Sequence, residues 1–366
     1  MKGRDFALLT DLYELTMMQG YYETGAHKRQ VVFDLFYRKN PSGNGYAIAA
    51  GLQQAIEYLD ELSFSDEDIA YLESLNIFTE GFIGYLKDFR FSGEVYAVPE
   101  GTVVFPHEPL MRIKAPIIEA QLIETALLNI INHQSLIATK ASRIVRAAQG
   151  RPVMEFGSRR AQGCDGAIYG ARASYIAGCC GTACTIVDRE FGIPALGTMA
   201  HSWVQLFDTE YEAFKAYAEN YPDNCTLLVD TFNVLKSGVP NAIKVFNEVL
   251  VPNGHRPRGI RIDSGDITYL SRKARKMLDD AGFPDCKITA SNSLDEYTIQ
   301  DMIRQGACVD SFGVGERLVT SKSEPVFGGV YKLVAVEENG EIIPKIKISE
   351  NVEKITNPCF KQVYRL

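Results

Sequence analysis

Apolar and polar positions follow two different rhythms along this chain, and the change between them falls near residue 150. Residues 8–22 repeat apolar side chains at helical spacing behind Thr10 and Asp11, which predicts an amphipathic helix entered at that pair. Residues 31–37 are an apolar run of strand length. Residues 94–115 hold short β-rich runs divided by Pro99-Glu100-Gly101 and His107-Glu108-Pro109, the composition of turns. Residues 117–149 are helical in period and closed by Gly150, which predicts two consecutive helices.

Beyond Gly150, short apolar runs recur at 152–156, 193–196, 225–229, 259–262, 287–291 and 309–314, with helical stretches between most of them. In 267–281, Ile267, Leu270, Ala274, Met277, Leu278 and Ala281 fall on one helical stripe. Strand-helix alternation of this kind predicts parallel β/α architecture, either a barrel or an open sheet. The polar residues favour the barrel. Gly157-Ser158-Arg159, His201-Ser202, Asp230-Thr231, Asp263-Ser264-Gly265-Asp266, Asn292-Ser293 and Gly313-Val314-Gly315-Glu316-Arg317 each stand just past an expected strand. A barrel gathers its site from the ends of many strands, whereas a doubly wound sheet needs only those at one switch point. From Val330 the antiparallel pattern returns, with Glu338-Asn339-Gly340-Glu341 as a hairpin turn. The expected fold is therefore an irregular parallel β/α barrel over 136–329. An α+β domain over 1–135 accompanies it, joined by the returning strands of 330–366.

Composition adjusts this picture only slightly. A length of 366 residues suits two domains, and 46% hydrophobic with 23% charged residues is ordinary for globular chains. A net charge of −8 argues against nucleic acid as the main partner, while leaving room for a local basic pocket. No apolar run is long enough to span a bilayer, and the first residues carry no signal-peptide pattern, so a cytoplasmic protein without a membrane partner is expected. The eight cysteines lack CxxC pairs. They are expected to be mostly small buried hydrophobes rather than zinc ligands, with Cys180 and Cys184 able to share a helix face.

Candidate chemistry concentrates after residue 150. Of five histidines, His27 and His255 sit in polar, turn-like sequence and are expected to be solvated. His107 lies among turn residues and His133 inside a helix. His201 differs, because it follows Gly197-Thr198-Met199-Ala200 directly after a strand, as either a catalytic or a structural imidazole. Asp230 and Asp263 end strands, where two carboxylates suit a magnesium ion or sugar hydroxyls; Asp263 could equally cap the next helix. Arg159, Arg160, Arg261 and Arg317 add groups suited to bidentate capture of phosphate or carboxylate, or else form surface ion pairs. Gly313 and Gly315 could admit a phosphate to backbone amides, or serve a turn. Lys140 and Arg143 read as a solvated helix face. Taken alone, these residues point to a β/α enzyme acting on an anionic, phosphorylated small molecule, and they leave the reaction open.

Seven blocks sharpen the reading: LLTDLYELTMMQGYY (8–22), EFGSRRAQG (155–163), GTMAHSWV (197–204), LLVDTFN (227–233), IRIDSGD (260–266), ASNSLDE (290–296) and FGVGERLVTS (312–321). In that order, over nearly the whole chain, they resemble the nicotinate phosphoribosyltransferases. The resemblance implies formation of nicotinate mononucleotide from nicotinate and phosphoribosyl pyrophosphate, coupled to ATP hydrolysis through phosphorylation of His201. It implies that Phe156 stacks on the pyridine ring, with Tyr13 covering the other face from the second subunit of a homodimer. Arg261 would hold the nicotinate carboxylate or a phosphate, and Arg159 the phosphoribosyl pyrophosphate. Asp230 and Asp263 would bind ribose hydroxyls or Mg2+, and Ser293, Gly313 and Gly315 would form the 5′-phosphate pocket. Two departures stand out. Family members usually continue past the region matching NPCFKQVYRL, so a missing C-terminal portion is expected here. Ala183, within GCCGTACTIV (178–187), stands where nicotinamide-using relatives place an acidic residue, which favours a carboxylate substrate. Nicotinamide phosphoribosyltransferase and an inactive, truncated nucleotide-binding protein remain as alternatives.

Overall fold

A computed structural model describes residues 5–351 and 354–364. Its strands, in chain order, are β1 (Gln30–Tyr37), β2 (Ala47–Ile48), β3 (Glu94–Ala97), β4 (Val103–Val104), β5 (Met111–Pro116), β6 (Val153–Glu155), β7 (Gly181–Thr182), β8 (Thr226–Leu228), β9 (Gly259–Ile262), β10 (Lys287–Ser291), β11 (Ser311–Val314), β12 (Gly329–Glu338) and β13 (Glu341–Pro344). The chain divides into two compact units, one of residues 1–139 with 324–366 and the other of residues 140–323. Among the described residues no helix is long and apolar enough to cross a membrane.

The first unit is built on an antiparallel sheet in the order β13-β12-β1-β5-β3. The apolar run of 31–37 becomes the central strand, and its residues are buried because both faces are covered. The hairpin expected at 338–341 joins β12 to β13. Asn339 and Gly340 both adopt positive φ, 54° and 82°, as a tight two-residue turn demands. Helices Leu12–Glu23, Leu52–Glu61, Glu80–Lys87 and Ile117–Leu122 pack on this sheet around Leu35, Tyr37, Phe82, Leu86 and Tyr331. His27 is half-buried rather than solvated, because its ring sits among Tyr22 and Tyr85 with centroids 5.4 and 5.7 Å away.

In the second unit six parallel strands are hydrogen-bonded in the order β7-β6-β11-β10-β9-β8. The first strand, β6, thus lies between the second and the last. Sequential strands that return to the first describe a barrel, not a doubly wound sheet. The run at 193–196 contributes only one parallel bridge, Ala195 to Thr182, since Pro194 has no N–H to extend a ladder. Between Ala195 and β8 the ring has a seam without a ladder among the described residues, so the barrel is irregular.

Strand parity sorts the side chains. Ile260, Ile262 and Ile288 face the surrounding helices and share a core with Phe214, Phe246 and Leu278. Each such aromatic contributes about 2–3 kcal/mol by burial. Register partners Arg261, Thr289 and Ser311 occupy the opposite face, followed one layer on by Ser291, Gly313 and Met154. A polar face on a parallel sheet is costly unless it serves a ligand or is fully hydrogen-bonded.

Four further expectations give way. Lys140 is buried against Glu296, not solvated, and Arg143 is largely covered beside it, because the helix Glu124–Ala147 presents that face to the start of the helix Glu296–Arg304. Only Cys179, Cys225 and Cys286 are fully buried; Cys164 and Cys180 are exposed. Cys180 precedes β7 while Cys184 caps the next helix, so the two share no helix face. His255 is tied by its Nδ1, 2.8 Å from Asp223 Oδ1.

Candidate active site

The strand ends of the barrel bring His201, Asp230, Asp263 and Arg261 together. His201 opens the short helix His201–Leu206, where Ala200 turns the chain out of an extended segment. Its Nδ1 lies 3.1 Å from Thr231 Oγ1, and its Nε2 lies 4.0 Å from Asp230 Oδ1 and 3.9 Å from Asp263 Oδ2. Two carboxylates facing Nε2 favour a proton on that nitrogen, which leaves the Nδ1 lone pair to accept from the Thr231 hydroxyl. The side chain is 40% exposed, so the ring is open to solvent.

Asp230 is held from one side only. Its Oδ2 accepts from the Asp263 amide at 3.0 Å and the Ser264 hydroxyl at 2.6 Å. Oδ1 is buried without a hydrogen-bond partner, although the side chain is only 1% exposed. A buried, unsatisfied carboxylate oxygen costs stability, and its retention beside His201 points to a ligand. Asp263 does not cap a helix. That task falls to Asp266, which accepts from the Tyr269 amide at 3.0 Å. Asp263 instead accepts from the Ser291 hydroxyl and lies 3.6 Å from Arg261 Nη2.

Arg261 reaches across the open seam. Its Nη1 donates to Thr198 Oγ1 at 2.7 Å and to the Met199 carbonyl at 3.3 Å, while Nε is buried and unpaired. Burial lowers the pKa of its guanidinium, and Arg159 adds to that, against the pull of Asp263 and Asp230. At the end of β6, Glu155 is fully buried and accepts from Gly157 N and from Thr182 Oγ1 at 2.7 Å; burial raises its pKa against those two hydrogen bonds.

Phe156 follows β6, anchored by its amide to the Val314 carbonyl at 2.8 Å. A Cβ on Gly313 would come within 2.5 Å of two atoms of the Phe156 ring, and one on Gly315 within 3.0 Å of the Phe156 carbonyl. Both glycines therefore make room for Phe156, a packing reason that spacing alone did not disclose.

A family model for the nicotinate phosphoribosyltransferase N-terminal domain matches residues 8–132. A nicotinate phosphoribosyltransferase of Bacillus subtilis is 50% identical over all of this chain and 74% of its own length. The chain belongs to the nicotinate phosphoribosyltransferase family. An Arabidopsis thaliana nicotinate phosphoribosyltransferase is 38% identical over 98% of the chain and 74% of its own length. The crystal structure of human nicotinic acid phosphoribosyltransferase superposes with a TM-score of 0.82 at 30% identity, over 92% of this chain and 75% of that one. A nicotinate-nucleotide pyrophosphorylase from Pyrococcus furiosus gives 0.73 at 25% identity, over 93% and 79%.

The remaining residues singled out for this phosphoribosyltransferase family member are distributed as follows. Ser293 follows β10 in a turn where both Asn292 (φ 82°) and Ser293 (φ 48°) are left-handed. Arg159 and Arg160 are exposed just beyond β6. Arg317 is committed to an ion pair, 2.5 Å from Asp295 Oδ2, and so is removed from the set of free arginines. Tyr13 belongs to the first unit, on the helix Leu12–Glu23, where it is 47% exposed. Thr198, Thr231 and Ser291 hold the site together, and no motif marks them singly. The signal for Ser291 was present: in Lys287–Ser291, Thr289 and Ser291 share parity with each other and oppose Ile288 and Ala290.

Proposed function

We propose that this chain transfers the phosphoribosyl group of phosphoribosyl pyrophosphate to nicotinate, forming nicotinate mononucleotide and pyrophosphate, with ATP hydrolysis coupled through phosphorylation of His201. The observation that carries the reading is the His201 ring, held by Thr231 at one nitrogen and faced by Asp230 and Asp263 at the other. With the proton on Nε2, the Nδ1 lone pair attacks the γ-phosphorus of ATP, the bond to the bridging oxygen breaks, and ADP leaves. The adjacent carboxylates stabilise the positive charge that develops on the ring. The added phosphoryl charge then orders the pocket for the second substrate, and hydrolysis of the phosphohistidine after turnover releases phosphate.

In the synthetic step the pyridine nitrogen bonds to the anomeric carbon as the bond to pyrophosphate breaks, through a transition state with oxocarbenium character. Arg159 and Arg261 offset the charge of the departing pyrophosphate, Phe156 orients the ring, and the Asn292–Ser293 turn with Gly313 and Gly315 receives the 5′-phosphate. The hard oxygen donors Asp230 Oδ1, buried and unpartnered, and Asp263 Oδ2 fit Mg2+. That ion would supply charge neutralisation for a polyphosphate substrate. We further place the enzyme in the cytoplasm, in pyridine nucleotide salvage, as a homodimer in which Tyr13 of one subunit closes the pyridine site of the other. The exposure of Tyr13 supports that role.

The test is product formation from nicotinate and phosphoribosyl pyrophosphate, with and without ATP, for the chain and for His201→Ala. ATP should stimulate the former. The substitution should abolish stimulation while leaving slow ATP-independent synthesis. Equal stimulation of both proteins would remove His201 from the coupling. Faster turnover of nicotinamide than of nicotinate would overturn the substrate.

A further inference from the structure

A buried charge cluster lies outside the chemistry described so far. Glu296 is the first residue of the helix Glu296–Arg304, and its side chain is 7% exposed. Lys140 Nζ stands 2.7 Å from its Oε2 and Arg143 Nη2 stands 3.0 Å from its Oε1. The same Lys140 ammonium reaches Ser323 Oγ at 3.1 Å, and Arg143 reaches the Tyr297 hydroxyl at 3.0 Å with its guanidinium 5.7 Å from that ring. Two cations on one carboxylate, out of water, make a poor stability device, since an apolar trio of the same volume would serve as well. Such clusters persist where they fix a geometry.

What this one fixes is the turn immediately before it. Asn292 and Ser293 are consecutive left-handed residues without the freedom of glycine, a conformation that holds only when its surroundings enforce it. Asp295 and Glu296, one residue beyond the turn, are both tied down. Asp295 accepts from the Thr298 amide at 2.8 Å and from Arg317 at 2.5 Å, which joins the turn after β10 to the segment after β11. Glu296 joins it to the long helix through Lys140 and Arg143. Leu294, between turn and anchors, is buried. The turn is thus clamped on its C-terminal side by two adjacent acidic residues with separate cationic partners. On its N-terminal side it is fixed by β10, whose last residue, Ser291, donates to Asp263.

We propose that Glu296, gripped by Lys140 and Arg143, is a positioning residue that keeps the Asn292–Ser293 turn in the shape the 5′-phosphate of the phosphoribosyl substrate requires. This rests on the reading of Ser293 as a phosphate contact. Loss of the carboxylate charge lets the first turn of the helix drift. Ser293 then samples ordinary right-handed conformations, which re-aim its hydroxyl, now donated to Asn292 Oδ1 at 3.1 Å.

The experiment compares the intact chain with Glu296→Gln, and with Arg143→Gln as a milder variant that removes only the outer partner. Amide hydrogen exchange in residues 291–295 should accelerate by about tenfold in Glu296→Gln, with exchange in β9 unchanged. The KM for phosphoribosyl pyrophosphate should rise by about tenfold while that for nicotinate stays within about twofold. Arg143→Gln should move both quantities the same way by less, and it decides the matter if Glu296→Gln does not fold. Unchanged exchange in 291–295, or acceleration spread evenly over the unit, would overturn the proposal, as would equal rises in both KM values. If exchange accelerates as expected but the intact chain shows no calorimetric binding of phosphoribosyl pyrophosphate, the clamp stands as structure, while its substrate role and the proposed function fall together.

Discussion

At the scale of single residues, the chain keeps carboxylates in places that hydrophobicity alone would forbid. Asp230 leaves one oxygen unpaired beside His201, and Glu155 stands fully buried at the end of β6. Glu14 is wholly buried in the first unit between Thr10 and Thr125, and burial pushes its pKa from an ordinary 4.5 up to about 7, with Glu124 and Asp11 adding repulsion. The folded protein therefore holds a proton that the unfolded chain releases. Stability associated with Glu14 is complete below about 4.5 and falls as pH rises to about 7, then levels off. Glu14→Gln, neutral throughout, should flatten part of the decline in melting temperature over that window. A variant with the same slope as the parent would show that Glu14 ionises without cost.

At the scale of elements, β8 and the helical segment after it show how tightly the site is mounted. Asn233 caps that segment through Oδ1, accepting from the Leu235 and Lys236 amides at 3.2 and 2.8 Å, and the chain then runs through a π-helical turn, Val234–Gly238. Wide turns of this kind are frequent at functional sites. Here the turn presses Gly238 onto the strand end: a Cβ there would lie 1.8 Å from the Val229 carbonyl oxygen, which is backbone and cannot rotate away. Gly238→Ala should destabilise the protein by about 3 kcal/mol through overpacking. Because Val229 precedes Asp230, activity should fall further than stability alone explains. Urea denaturation and kcat/KM on the same preparation would check both; a loss below about 0.5 kcal/mol would mean that the segment simply lifts off the strand.

At the scale of the whole barrel, the seam is crossed by side chains as well as flanked by ladders. Arg261 leaves β9, crosses the seam and donates to Thr198 and Met199, just ahead of His201. A guanidinium spans that gap as a planar fork, which a lysine cannot copy. In Arg261→Lys, amide exchange over residues 197–199 should quicken, and kcat/KM should fall by about a hundredfold as His201 loses its register with Asp230 and Asp263. If exchange there is unchanged while activity falls, Arg261 acts on substrate alone and the seam is held otherwise.

Much of this architecture was legible in the sequence, for physical reasons that differ by element. The strands β9, β10 and β11 and the helix Ile267–Asp280 were plain because burial against helices imposes a period on the side chains that a reader can count. The hairpin at Asn339–Gly340 was plain because few residues accept its dihedral angles. The order of seven motifs carried the family, and Asp230 and Asp263 were legible as polar residues just past apolar runs of strand length. What the sequence withheld depends on partners distant along the chain. Nothing local in Lys140 or Arg143 announces Glu296, some 150 positions away, so a buried clamp reads as a solvated helix face. That Gly313 and Gly315 also make room for Phe156 shows only in the packing. Likewise Arg317 reads equally as a phosphate-capturing group or an ion-pair partner until Asp295 claims it. Periodicity is a property of neighbours along the chain and survives in the sequence; charge pairing and close packing are properties of neighbours in space, and only the tertiary structure decides them.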